Sequence, residues 1–491
     1  MIAAHTVAQV RAAEEPLLRA GVPLMARAAT ALACETARRL PFVYGARVVL
    51  LIGKGNNGAD ALWAGAALQR RGASVVAILF DDAVPDALDA FRRAGGRVGT
   101  AEALQGAEAV LDGIVGIGGR GPLRVEVPDL GGVPLVIAVD VPSGVDADTG
   151  EVHAGAVRAD VTVTFGTAKP GLLLARDHVG ELVVAGIGLD LPPPSVEGVD
   201  DVAHLLPADA RVSDKYSRGV VGIAAGSSAY SGAALLCVGA AVRAGAGMVR
   251  YVGRAAERVR DSWPEAVVTE HLKDTGRVQA WVVGPGLGVT AFDTLEEVLA
   301  QDVPVLVDAD GLTMCARTPT LLTDRDAPTL LTPHDREFAR FGREVGPDRV
   351  GAARWLAGEL GVHVLLKGDA TVVVSPEGSV RINTSGTPLL ATAGTGDVLS
   401  GGTGALLARG LDVLDAASAG AYLHGRAAVL SAAGATTSAG LVLEAWPAAV
   451  REAVLRDSVS WDLPPSSTSA PSATTSWTCA AAPPERSSWR S

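Results

Sequence analysis

The sequence predicts an α/β protein built as two three-layer αβα domains in series. Short apolar runs bounded by glycine alternate with longer helix-like stretches, the pattern of βαβ units. The alternation stops near residues 188–201, where "GLDLPPPSVEGVDD" collects proline and acid, and then resumes. A chain of 491 residues is also too long for one core when domains run at ~150 residues.

In the first half a helical pattern runs to about residue 40, and "ARVVLLIG" (46–53) follows, apolar throughout as a strand buried on both faces must be. "ADALWAGAALQRRG" reads as a helix and "SVVAILF" as the next strand. "AVLDGIVG" (109–116), "PLVIAVDVPSG" (134–144) and "DVTVTFG" (160–166) extend a doubly wound sheet. The second half repeats the architecture without a sequence period. Its strands are expected at "GVVGIAAG" (219–226), "AWVVGPGLG" (280–288), "VPVLVDADGL" (303–312), "PTLLTPH" (328–334) and "VHVLLKGDATVVV" (362–374), before an Ala-rich helical stretch. The expected domains are therefore residues 1–207 and 208–456. The Ser-, Thr-, Pro- and Ala-rich tail 457–491 is expected to be disordered.

A net charge of −12 and a pI of about 5.2 argue against nucleic acid and anionic membranes as partners and favour small molecules. Cys34, Cys237, Cys315 and Cys479 lack CxxC spacing, which supports neither a disulfide framework nor a zinc site and points to a reducing, cytoplasmic setting. The start, "MIAAHTVAQVRAAEEP", has no signal-peptide core, and no segment is expected to span a membrane.

"GKGNNG" fits G-x-G-x-x-G with Gly53, Gly55 and Gly58, and Asp81 closes the next strand where a ribose-binding acid is expected. A dinucleotide loop and a plain tight turn both satisfy that pattern. Asn56, Asn57 and Asp60, however, add amide oxygens and a carboxylate where pyrophosphate needs bare backbone. Asp140 ends another strand ahead of the turn Pro142, Ser143, Gly144, either as a cap or as a ligand-facing acid. Asp112 ends a third. Asn57, Asp112 and Ser143 would converge at the sheet edge as an oxygen set able to hold a monovalent cation.

At these residues the chain resembles the NAD(P)H-hydrate epimerase family over about residues 5–205. Asn56–Asp60 match an N-N-G-G-D loop, with Ala59 in place of a glycine; Asp140–Gly144 match D-x-P-S-G; "TFGTAKPGLL" (164–173) matches T-F-x-x-x-K-P-G-L-L. The resemblance implies a Rossmann-like domain in which Asn57, Asp112 and Ser143 bind potassium. Asn56, Asn57, Gly58 and Asp60, with Gly116, Gly118 and Arg120, would line the substrate site, and Asp140 would contact the hydrated nicotinamide and move protons.

"NTSGTPLLATAGTGDVLSGG" (383–402) sets Gly394, Thr395 and Gly396 before an apolar helix, so successive N–H groups and the helix dipole form an anion site. Asp397 is then either a dipole-complementing cap or the base of a phosphoryl transfer. Lys367 in "LLKGDATVVV", the glycine loop of "VVGPGLG" and His334 in "LLTPHDREFAR" fall at the ends of other strands.

This set resembles the ribokinase-like superfamily and, more closely, the ADP- or ATP-dependent NAD(P)H-hydrate dehydratase family over about residues 211–456. "YSGAALLCVGAAVRAGAGMV" (230–249), "GPGLG", "DADGL", "TPHDREFAR", "LLKGDATVV" and "TAGTGDVLSG" carry the match. Asp335 and Arg336 stand where the family favours Pro-Gly, and Asp369 and Ala370 where it favours Ala-Gly. The resemblance implies that Ala233, Gly288, His334 and Asp397 contact the hydrate. Lys367, Gly368, Asp369, Ala370, Thr371, Gly394 and Gly396 would hold the nucleotide.

The expectation is thus a bifunctional repair enzyme that interconverts the hydrates NADHX and NADPHX and dehydrates one epimer, using potassium, magnesium and ADP or ATP, and forming a homo-oligomer. A nicotinamide dehydrogenase built on Gly53–Gly58, a small-alcohol or vitamin kinase in the second half, and a non-catalytic NAD-sensing module are the competing readings.

Overall fold

The computed structural model describes residues 1–207 and 214–459, which divide into two compact units: His5–Pro193, and Met1–Ala4 with the residues from Pro194 on. The division falls at Pro193 and not at 207 because part of the expected linker is a strand, Val196–Val199. It pairs parallel with Val380–Asn383 and antiparallel with Ile2–Ala4. Four residues are too few to display an alternation, and the prolines around them dominate the composition.

In the His5–Pro193 unit seven strands form one parallel sheet, in the order Arg97–Val98, Ser74–Leu79, Arg47–Ile52, Ala109–Gly113, Val136–Val139, Val161–Phe165, Glu181–Ala185. All of Arg47–Ile52 beyond its first residue is buried, as its unbroken apolar run requires. The strand order reverses between Arg47–Ile52 and Ala109–Gly113. The loops that leave these two strands therefore diverge and open a crevice at the sheet's C-terminal edge. The helical pattern expected to residue 40 resolves into strand Ile2–Ala4 and helices Val7–Arg19 and Leu24–Arg39, the first of them started by a Thr6–Gln9 capping box.

The other unit carries an eleven-stranded sheet: Ile2–Ala4, Val196–Val199, Val380–Asn383, Val372–Val374, His363–Leu366, Thr329–Leu331, Val305–Val307, Ala280–Val283, Val220–Ala224, Met248–Val252, Val267–Thr269. From His363–Leu366 to Val267–Thr269 every pairing is parallel. "VHVLLKGDATVVV" is not one strand but an antiparallel hairpin, His363–Leu366 with Val372–Val374, so Lys367–Thr371 form its turn. Here the order reverses between Val220–Ala224 and Ala280–Val283, which sets a second crevice at those strand ends.

Helix Thr395–Ala408 is buried along most of its length. Glycine inside a helix costs roughly 0.5–1 kcal/mol relative to alanine, and here it allows close approach: a Cβ at Gly401 would collide with the Cys237 carbonyl, and one at Gly402 with the Trp446 ring. That packing fixes where the helix's N-terminus points. The last helix, Ala439–Val459, runs past the expected end of the domain at 456, and the rest of the tail expected at 457–491 lies outside the described residues.

Cys237 and Cys315 are buried free thiols, and Cys479 lies outside the described residues. Among the described residues no single helix is long and apolar enough to cross a membrane.

Candidate functional site

In the His5–Pro193 unit, strand Arg47–Ile52 ends at Gly53, whose α-carbon lies against the Ile114 carbonyl so closely that no side chain fits. The helix that follows spans Asn56–Arg70 with Gly55 at its N-cap. Asn57, Gly58 and Asp60 therefore belong to its first turns, and the glycine loop is shorter than the motif suggests. Asn56, Asn57 and Asp60 line a cleft of about 480 Å3 together with Gly116, Gly118 and Asp140. Gly58 packs behind it, against the Gly53 carbonyl and 3.2 Å from Ile52 Cγ2 at an added Cβ. Arg120 is exposed and stands outside the lining.

Asp140 has φ +65°, a left-handed backbone rare for a side chain with a Cβ and costing about 1–3 kcal/mol. Its Oδ1 accepts from Thr164 Oγ1 at 2.9 Å, Phe165 N–H at 3.2 Å and Lys169 Nζ at 2.6 Å. Lys169, fully buried, also donates to Thr164 Oγ1 at 2.8 Å. Removing one member of such a buried pair leaves an uncompensated charge, so the pair holds Asp140 in its strained turn.

Asp112 lies fully buried beneath the loop. Its oxygens accept from Ser143 Oγ at 2.6 Å, Ser143 N–H at 2.8 Å and Ile114 N–H at 3.3 Å. Burial pushes this carboxyl up to about 6 even though Ser143 and Ile114 hold it down. Among the described residues no ammonium or guanidinium pairs with it. Asn57 sits close by: a Cβ on Gly113 would lie 3.0 Å from its backbone oxygen, and one on Gly116 2.9 Å from its Oδ1. The three residues expected to hold a cation thus approach one loop, residues 113–116.

Sequence reasoning assigned no role to three residues of this cleft. Lys169 was visible only inside a motif, and Arg11 and Glu14 come from helix Val7–Arg19, which no motif marks. Asp81 forms an exposed ion pair with Lys54 at 3.6 Å, so the ribose-binding acid of a dinucleotide loop is tied to a loop cation.

In the other unit, Gly394 caps helix Thr395–Ala408 at φ +90°, and Asp397 is the third helical residue. Gly396 faces Lys367: an added Cβ would lie 3.6 Å from Lys367 Nζ and 3.9 Å from Asp308 Oδ2. Lys367 Nζ contacts Asp308 Oδ1 at 2.8 Å and Glu337 Oε2 at 3.6 Å, and Ser400 Oγ donates to Asp308 Oδ2 at 2.8 Å. Burial disfavours the Lys367 ammonium, but Asp308 and Glu337 outweigh it and raise its pKa. Burial, then Asp308, pushes Asp397 up to about 7; Lys367 opposes this, and Asp310 and Glu337 add to it. Four carboxylates thus face one ammonium.

Gly288, at φ +90°, donates its N–H to Asp310 Oδ2 at 2.8 Å. Ala233 packs behind the same loop, 2.8 Å from an added Cβ at Gly286. His334 is the N-cap of Asp335–Phe338: its Nδ1 accepts from Glu337 N–H at 3.2 Å while Glu337 Oε2 accepts from His334 N–H at 3.0 Å. Its Nε2 lies 3.6 Å from the same Glu337 Oε2, and the ring remains about half exposed. In the hairpin turn Gly368 and Asp369 are exposed, whereas Ala370 and Thr371 are buried, and Thr371 Oγ1 donates to the Gly368 carbonyl at 3.1 Å. Asp335, unlike the family's proline, pairs with Arg349 at 2.9 Å, and Arg349 donates to the Lys367 carbonyl at 2.8 Å. Asp308, Asp310 and Glu337 were not singled out from sequence, although "DADGL" placed two of them at a strand end.

Fold and sites define a class: an α/β enzyme with two separate acid-lined sites, each at the point where a parallel sheet reverses its strand order. Residues 22–171 match the family profile described as YjeF-related protein N-terminus, and residues 221–445 the one described as NAD(P)H-hydrate dehydratase. The "Bifunctional NAD(P)H-hydrate repair enzyme Nnr" of Mycobacterium leprae is 50% identical over 452 residues, covering 87% of this chain and 94% of its own. Its namesake in Mycobacterium tuberculosis is 49% identical over 400 residues, covering 77% and 83%. The ADP/ATP-dependent NAD(P)H-hydrate dehydratase of Bacillus subtilis, crystallised with ATP and Mg2+, is 29% identical with a TM-score of 0.47, covering 51% of this chain and 96% of its own. The chain belongs to the family of bifunctional NAD(P)H-hydrate repair enzymes.

Proposed function

We propose that the His5–Pro193 unit interconverts the two epimers of hydrated NADH and NADPH, and that the unit from Pro194 on dehydrates one of them at the expense of ADP or ATP. The observation that carries this reading is Asp397: a half-buried acid at a helix N-terminus, beside the Lys367–Asp308 pair, with its proton affinity raised to about 7. Such a group is poised to take a proton near neutral pH.

Hydration leaves a hydroxyl on the ring carbon next to nitrogen, and hydroxide departs poorly. Asp397 takes the hydroxyl proton as that oxygen attacks the nucleotide's terminal phosphorus, and the shortened nucleotide leaves with the P–O electron pair. Phosphate then departs with the C–O pair, the neighbouring carbon loses a proton, and the reduced nicotinamide is restored. The N–H groups of Gly394–Gly396 and the ammonium of Lys367 would meet the phosphates, with Gly368–Thr371 along the nucleotide. Ala233, Gly288 and the exposed side of the His334 ring would border the hydrate.

Magnesium would enter with the nucleotide, whose phosphate oxygens supply ligands, and it would neutralise phosphoryl charge there. The carboxylate excess around Asp397 suits an incoming cation. Potassium fits the other site: Asp112 is a fully buried carboxylate paired with no cation among the described residues, and Asn57 and Ser143 add neutral oxygens. Bound there, a monovalent cation would offset the Asp112 charge and steady the 113–119 loop that walls the cleft. Asp140, held by Lys169, would face the ring nitrogen as it gains positive charge, and would accept a proton from attacking water.

The test mixes both hydrate epimers of NADH with the protein, ADP or ATP, and magnesium, and follows the absorbance of reduced nicotinamide. Recovery of both epimers is expected. Recovery of only one removes the epimerase, and accumulation of a stable phosphorylated product makes the second unit a kinase instead.

A further inference from the structure

Two acids in the cleft of the His5–Pro193 unit, Asp60 and Glu14, belong neither to the Asp140–Lys169 pair nor to the oxygen set around Asp112. Asp60 is 8% exposed, lines the cleft, and its Oδ1 has no hydrogen-bond partner among the described residues. A carboxyl buried in this way is costly as an anion and far less so as a neutral acid with a proton to donate. Its surroundings reinforce this. Helix Val7–Arg19 presents Glu14 and Arg11 to the cleft, and the turn after Val136–Val139 presents Asp140. The ammonium of Lys169 is committed to Asp140, Thr164 and the Phe165 carbonyl, and Lys54 at the mouth is paired with Asp81. Burial first, then Asp140 and Glu14, pushes Asp60 up to about 8. Glu14 is raised too, by burial and then by Asp140, against Lys169 and Arg11.

We propose that Asp60 is the catalytic acid of epimerisation, protonating the hydroxyl of the hydrate as it leaves; the proposal rests on the epimerase reading above. The step balances without an external reactant. The Asp60 proton moves to the hydroxyl oxygen, the C–O bond breaks with its electron pair on oxygen, and water departs. The ring nitrogen's lone pair forms a C=N bond, giving a cation opposite the Asp140 carboxylate. Water then adds to the other face, the C=N pair returns to nitrogen, and Asp140 takes the proton that water sheds. Lys54, Gly55 and Asn56, all exposed, open the cleft to solvent, which reloads Asp60 and unloads Asp140.

The experiment uses the full chain and a single hydrate epimer, with interconversion read by NMR and the solvent enriched in 18O. In the wild type, epimerisation inserts solvent oxygen into the hydroxyl at every turnover, and kcat/KM falls as pH rises through about 8. Asp60→Asn, nearly isosteric, should lower kcat by about 10²-fold or more with KM little changed, and should lose that alkaline limb. Urea unfolding and near-UV circular dichroism of the variant, matched against the wild type, report that the His5–Pro193 unit is folded. Asp60→Glu should keep part of the rate and the alkaline limb. Retention of the original oxygen, an undiminished kcat in Asp60→Asn, or a lowered kcat with the alkaline limb intact would each overturn the role. A wild-type protein that fails to interconvert the epimers overturns the epimerase reading itself, a result distinct from any of these.

Discussion

Lys367 Nζ lies 2.8 Å from Asp308 Oδ1, and that contact controls the acid two positions into the neighbouring helix. An ammonium committed to Asp308 and Glu337 neutralises Asp397 only in part, so burial and the remaining carboxylates keep its affinity for a proton near 7. A general base works only when deprotonated. Dehydratase kcat/KM should therefore rise about tenfold per pH unit below about 7 and level off above it. Asp397→Asn should lower kcat by ~10²–10⁴-fold, the range general base catalysis contributes, and abolish the pH dependence. A flat wild-type profile between pH 5 and 8 would refute the assignment.

The same contact makes a second expectation with the opposite sign. Asp308→Asn removes the carboxylate that raises Asp397 most and frees Lys367 to face it. Both changes favour the ionised base, so the acidic limb should move to lower pH. Nucleotide affinity should change as well, because Ser400 Oγ and Lys367 Nζ lose a charged acceptor. Profiles of the two proteins, measured at saturating nucleotide, separate the effects.

Lys169 and Asp140 form a pair of another kind, fully inside the other unit. Lys169→Met leaves Asp140 without its cation in a turn at φ +65° and should destabilise by ~3–5 kcal/mol, the usual cost of breaking a buried pair. Adding Asp140→Asn should restore part of that stability while leaving epimerisation absent. Urea unfolding of the two variants checks the first statement, and an epimer assay on the double variant the second.

Potassium should matter to one activity only. Replacing it with N-methyl-D-glucamine should slow epimerisation and leave dehydration unchanged, because Asp112 would then have no cation and the loop that it and Ser143 anchor would lose a strut. Ser143→Ala should show the low rate in either salt. Equal rates in both salts for the wild type would remove potassium from the mechanism.

Much of this was legible in the chain because parallel strands buried on both faces read as unbroken apolar runs, and ligand-facing residues follow directly from strand ends. "AVLDGIVG" and "PLVIAVDVPSG" are of that kind, and Asp112 and Asp140 fell out with them. Hidden elements were short or paired across large sequence distances. Val196–Val199 exists only because Val380–Asn383 and Ile2–Ala4 flank it, and no local pattern encodes such partners. The site was legible where a motif carried it and silent where geometry did. Arg11 and Glu14 reach the cleft from an ordinary amphipathic helix, and the link from Asp335 through Arg349 to the Lys367 carbonyl joins residues that no spacing rule connects. His334 shows the reverse: its motif suggested a ligand contact, and the chain also uses it as a helix cap.

Gly394 permits a last test of whether the loop is built for a ligand or only for a turn. At φ +90° an alanine is strained by roughly 1–2 kcal/mol, and its Cβ would also meet Leu236 Cδ1 at 2.6 Å and Ala439 Cβ at 3.1 Å. Relief requires the loop to shift, which moves the N–H groups at the start of helix Thr395–Ala408. Gly394→Ala should therefore raise KM for the nucleotide more than KM for the hydrate, and isothermal titration should show the matching loss of nucleotide affinity. Gly358→Ala is the control: it lies in helix Arg349–Leu360 with nothing within 4 Å of an added Cβ, and should be neutral or stabilise by ~0.5–1 kcal/mol. A loss of stability in Gly394→Ala with both KM values unchanged would make the glycine a matter of folding alone.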